Sequence, residues 1–151
     1  MPTPRVLVTQ VSRRRLSRLS AFLRTLPKSA FAIGSWVNAV SDTEEAYHMT
    51  PKKALECGTT ACAFGWAAAL PENRRAGLRI VGDRRFMEIE FKGKHSIEAA
   101  QLFFQLESEE LAETFFMPNS YPNGNRTTAI SVANRIDRYL VDPVKYTQAS
   151  T

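Results

Sequence analysis

The run Glu56–Leu70, ECGTTACAFGWAAAL, constrains this chain more than any other stretch. Two cysteines, Cys57 and Cys62, open a segment that is otherwise almost wholly small or apolar, so it belongs either in a crowded interior or at a reactive thiol or metal site. Thr59 or Thr60 is placed to cap a helix that continues through Ala69 and ends before Pro71. On that helix Ala61, Gly65 and Ala69 recur at i, i+4 and i+8, giving a face with almost no side-chain bulk against which another backbone can approach closely. Gly65 in mid-helix costs about 1 kcal/mol against alanine, and close packing is the reason to expect it there. Cys62 and Trp66 share the neighbouring face.

The flanking segments supply partners for this run. Ser12 is expected to cap a helix to about Leu26, with Leu16, Leu19, Phe22, Leu23 and Leu26 on one arc, Arg13, Arg14, Arg18 and Arg24 on the other, and Arg15 at the edge between them. Residues 31–56 read as irregular, anchored by Phe31, Ile33 and Trp36, with Pro51 breaking any helix. From Leu78 to Phe91 the period changes to two: Leu78, Ile80, Met87, Ile89 and Phe91 form the apolar face of a β-hairpin in which Arg79 faces Glu88 or Glu90. Ser96 and Ser108 are expected caps for two short helices, and Thr127 or Thr128 for a last one, with Ala129, Val132, Ala133, Ile136, Tyr139 and Leu140 as its apolar stripe. The expected fold class is therefore α+β and mostly helical, a single domain over residues 1–151 of about five helices and one hairpin, with 1–11 and 142–151 as loosely attached tails.

The formal charge of +5 is uneven. Arg5, Arg13, Arg14, Arg15, Arg18, Arg24 and Lys28 precede the first acidic residue, Asp42, and acidic residues slightly outnumber basic ones thereafter. A local positive field of this kind suits a partner of negative charge, a nucleic-acid backbone or an acidic protein surface. No apolar run approaches the roughly 20 residues that span a bilayer, and no signal-peptide stretch precedes Ser12, so the expected location is the cytoplasm, with no membrane partner. Two cysteines make no disulfide framework.

The order of these pieces resembles a set of small phage and bacterial proteins with the pattern C-G-T-x-x-C-x-x-G, met here by Cys57, Gly58, Thr59, Cys62 and Gly65. An N-terminal L-x-x-L-x-x-F-L-x-x-L-P helix is met by Leu16 to Pro27, a central A-x-x-F-F-x-L-x-x-E-E-x-x-x-x-F segment by Ala100 to Phe115, and a closing A-x-R-I-D-x-Y-L helix by Ala133 to Leu140. The chain departs from the pattern at Gln105, where a glycine is expected between the two central helices, and in its hairpin. The resemblance implies a phage or prophage origin and an accessory role inside the host cell, and it implies no reaction.

The candidate sites follow from these residues. Cys57 and Cys62 are read first as buried scaffold together with Gly58, Thr59, Gly65 and Trp66; the active alternatives are a thiol enzyme or redox protein, a Cys/His pair using His48 or His95, or a zinc site using all four. No catalytic residue, metal or cofactor is assigned, because neither histidine stands in a paired ligand motif and no phosphate-binding glycine loop is present. For binding, the candidates are Arg13, Arg14, Arg18 and Arg24 as phosphate contacts, and Tyr121 as an anchor in the exposed loop Asn119–Arg126. The preferred expectation is a non-catalytic protein that binds a protein partner, with nucleic-acid backbone binding as the alternative.

Overall fold

The computed structural model describes residues 8–38, 50–56, 58–83 and 86–148. His48 and Cys57 lie outside them, as do residues 1–7 of the expected N-terminal tail and part of the expected hairpin turn. The fold is α+β and mostly helical, with eight α-helices and two small antiparallel sheets among the described residues.

The first helix, α1 (Gln10–Leu23), starts earlier than its leucines suggest, because Thr9 rather than Ser12 is the cap: its hydroxyl accepts the Ser12 N–H at 3.0 Å. It also stops at Leu23, before Leu26. Leu16, Leu19 and Leu23 are fully buried against α7 (Ala129–Val141), whose stripe Ala129, Val132, Ala133, Ile136 and Tyr139 is buried in turn. The two helices run antiparallel, since Arg13 reaches the Leu140 carbonyl at one end while Arg24 reaches Asn134 and Asp137 toward the other. Thr128 caps α7 and Ser108 caps α6 (Glu109–Phe116), each hydroxyl accepting the N–H three residues on.

The centre of the molecule is α3 (Ala63–Ala69), every residue of which is buried. Its cap is Cys62; Thr60 and Ala61 instead form β2 (Thr60–Ala61), paired with β1 (Val37–Asn38) in the register Val37 to Ala61. The helix therefore begins later than the threonines predict, and Ala61 contributes to the small-residue surface from a strand. Segment 31–38, expected to be irregular, lies across the start of α3: Ala32 N–H donates to Ala61 and Cys62 N–H donates to Ser35 at 2.7 Å. A Cβ built on Gly65 would stand 1.7 Å from the Trp36 carbonyl oxygen, so this position tolerates no side chain. Phe64 leaves the same helix into an aromatic cluster, with ring centroids 5.9 Å from Phe104 and 5.7 Å from Phe116.

Three further helices begin with the prolines that the sequence marks as breaks: α2 (Pro51–Glu56), α4 (Pro71–Arg75) and α8 (Pro143–Gln148). A proline at the first helical position loses no intrahelical hydrogen bond and has its φ already set, so a stop for one helix is a start for the next. Residues 143–148 are thus helix, and Tyr146 packs its ring against Phe115 and Tyr139. The hairpin of β3 (Arg79–Asp83) and β4 (Phe86–Phe91) pairs Arg79 with Glu90 and Ile80 with Ile89, and gains a third strand, β5 (Lys94–His95). Its buried face of Met87, Ile89 and Phe91 lies against α5 (Ser96–Phe103) and the core.

Helices α2, α4 and α5 close in one way. In each, a residue just beyond the helix has positive φ, and two backbone N–H groups turn back to the last turn: Gly58 with Thr59, Gly77 with Leu78, and Gln105 with Leu106. Gln105, at φ 53°, occupies the place where glycine is expected, and its side chain bonds Thr9.

Two substitutions check these statements by thermal unfolding. Gly65→Ala is expected to cost about 3 kcal/mol or more, because the methyl group meets a backbone carbonyl that cannot rotate away. Gln105→Gly is expected to raise stability by about 1 kcal/mol, because relief of the left-handed backbone exceeds the loss of an exposed side-chain hydrogen bond.

Candidate functional site

Every described residue of the cysteine motif has a local structural task. Gly58, at φ 75°, lets the chain leave α2, and Thr59 follows it into the interior. Cys62 begins α3: its sulfur accepts the Gly65 N–H at 3.4 Å, and its S–H points to the Trp36 carbonyl at 3.9 Å. Trp66 donates its indole N–H to Ala30 at 2.8 Å, closing the same segment over the helix. Cys62 is buried, and desolvation pushes its thiol up to about 11, against which the backbone N–H donors pull only weakly. The Thr59 hydroxyl has no hydrogen-bond partner among the described residues and lines a cavity of about 20 Å³ beside Gly65 and Trp66, room for one water molecule.

Of the two histidines, only His95 is described. It lies exposed, with Nδ1 3.2 Å from Glu88 and Nε2 3.8 Å from Glu90, on the outer side of the hairpin. Cys62 is on α3 inside the core, so the structure does not bring these two residues together in one site. No three His, Cys, Asp or Glu side chains converge to hold a metal ion among the described residues.

The arginines of α1 do not act as one face. Arg24 forms an ion pair with Asp137 at 2.6 Å and a second bond to Asn134, so an acidic residue far along the chain cancels part of the field that the N-terminal sequence presents. Arg13 bonds the Leu140 carbonyl near the C-terminal end of α7, and Arg18 bonds the side chain of Asn73, itself buried and bonded to Ala67. Arg15, expected at the edge of the apolar arc, lies 4.2 Å above the Phe103 ring and donates to the Phe103 carbonyl at 2.6 Å. Burial, with the adjacent charges of Arg14 and Arg18, lowers its pKa. Arg14 remains exposed and outward.

Tyr121 is a correction to the expected exposed anchor: it is 7% exposed, its hydroxyl donates to the Phe115 carbonyl at 2.8 Å, and burial pushes that hydroxyl far above the ordinary phenol range. The loop tyrosine turns inward because its ring supports Arg135, whose guanidinium lies 3.7 Å over it. Arg135 was not singled out in the sequence, although it borders the apolar stripe of α7 where a half-buried cation needs carbonyl partners; it finds Thr114 and Ser120 at 2.7 and 2.8 Å.

Two depressions flank α7. One, of about 320 Å³, is mostly apolar and lies at the α7–α8 corner between Val141, Tyr146 and the charged rim of Asp137, Arg138, Asp142 and Lys145. The other, of about 340 Å³, is polar and lies above Tyr121. No helix among the described residues is long and apolar enough to cross a membrane. Compared with known proteins, the chain matches no family model, no curated protein and no solved structure.

With Cys57→Ser as background, Cys62 is expected to resist a thiol reagent at pH 8 in the native protein and to react fully once the chain is denatured; rapid native labelling would show that the helix start opens. Because the folded thiol stays protonated after the unfolded one has ionised, its contribution to stability is complete below about pH 9 and declines as the pH rises toward 11.

Proposed function

We propose that this is a phage-type accessory protein of the host cytoplasm that acts by binding a protein partner rather than by catalysis. The observation that carries the proposal is Val141, an apolar side chain left 86% exposed beside the apolar groove at the α7–α8 corner. An apolar floor within a rim of mixed charge is the composition of a protein interface, in which the floor excludes water and the rim sets orientation. The resemblance of the cysteine motif to small phage proteins supports the cellular setting. The conversion of Cys62, Gly65 and Trp66 into close-packed scaffold agrees with an activity on the outer surface.

The experiment compares the tagged wild-type chain with Val141→Glu in pull-downs from bacterial host lysate. Because Val141 is exposed, the variant is expected to keep the wild-type melting temperature while the retained partner falls by about tenfold, as for a charge placed in an interface core. A partner held equally by both proteins would remove this groove from the interface, and no partner for either would remove the proposal.

A further inference from the structure

The polar cleft above Tyr121 differs from the other surface depressions in its charge: none of its lining residues is acidic, and two are arginines. The grooves beside it and beside α5 each include two carboxylates among their linings. Arg135 is already oriented there. Its Nη1 holds the Thr114 and Ser120 carbonyls, its guanidinium rests on the Tyr121 ring and within hydrogen-bonding reach of the Tyr121 oxygen, and no carboxylate pairs with it among the described residues. A guanidinium fixed in this way has little side-chain freedom left to lose on binding.

The neighbouring side chains on α7 complete a set of donors. Asn134 has its Oδ1 held by Arg24 at 2.9 Å, which leaves its amide NH2 as the group available to the cleft. Arg138, one turn further along the helix, is exposed and forms no ion pair among the described residues. Two guanidinium groups and an amide, with no competing carboxylate in the wall, match an oxyanion that accepts several hydrogen bonds at once. We propose that this cleft binds a single oxyanion group, a phosphate or a carboxylate, through Arg135, Arg138 and the Asn134 amide. The site shares only Arg138 with the rim of the apolar groove, and it does not depend on the partner reading above.

The test follows the Asn134 side-chain amide and the arginine Nε–H signals of the full chain by NMR, titrating inorganic phosphate and, separately, acetate at ionic strength held constant with sodium chloride. Saturable shifts with millimolar affinity are expected. Arg138→Gln, an exposed change that leaves the Arg135 contacts in place, should weaken binding by about tenfold. Ser131→Asp should abolish it by placing a carboxylate in the wall, while its position in the first turn of α7 favours an acidic side chain and keeps the helix intact. Arg75→Ala, an exposed change outside the cleft, should leave binding unchanged. Tighter binding of phosphate than acetate would assign a phosphoryl ligand, and the reverse a carboxylate presented by a peptide or small acid; either supports the site. Shifts that do not saturate, that are reproduced by chloride alone, or that survive unchanged in Arg138→Gln would overturn it.

Discussion

The approach of the Trp36 carbonyl to Gly65 governs the arrangement around it. A backbone oxygen sits where a side chain would begin, so β1 and the segment before it can lie directly on the start of α3. That contact places Ser35 to accept the Cys62 N–H and Ala30 to accept the Trp66 indole, satisfying donors that burial would otherwise leave unpaired. It also fixes the direction of α3, from which Phe64 enters the aromatic cluster and Trp66 meets Phe22 of α1. An alanine at position 65 would separate the two backbones, and the cap, the strand pair and the tryptophan bond would all have to shift.

In these terms the cysteine motif is a unit of chain punctuation. Gly58 ends one helix in the left-handed region, two residues of strand follow, Cys62 caps the next helix, and Gly65 admits the neighbouring backbone. The sulfur acts here as a capping acceptor in a dry interior, and the same burial that makes it a good neighbour for Phe and Ala suppresses its ionisation. Chemistry that needs a thiolate has no support at Cys62.

The outer surface is organised by α7. Its inward stripe packs on α1, while Asp137 restrains Arg24 and Arg135 restrains the Tyr121 loop. Arg138 lies between an apolar groove on one side and a donor-rich cleft on the other. Of the positive charge that is concentrated near the N-terminus in the sequence, part is neutralised by Asp137 and part is tied to carbonyls and an amide, while Arg14 stays exposed.

What the sequence by itself determined is what short-range physics determines. The apolar periods of α1, α5, α6 and α7, the alternation of the β3–β4 hairpin, the caps at Ser108 and Thr128, and the need for a bulk-free surface at Gly65 all depend on residues a few positions apart. Gln105 stands apart: the expectation of a glycine there came from the resemblance and not from the local pattern, and the residue takes the positive φ a glycine would take. Only the tertiary structure decided which backbone approaches Gly65, that Tyr121 turns inward beneath Arg135, and that Asp137 meets Arg24. Those contacts join residues from 14 positions apart, Tyr121 and Arg135, to 113 apart, Arg24 and Asp137, and a local pattern carries no record of them. The helices opening at Pro51, Pro71 and Pro143 were missed for a related reason. A proline ends the helix behind it whatever surrounds it, but a five- or six-residue helix ahead of it persists only when packing elsewhere in the fold offsets the cost of ordering so short a turn.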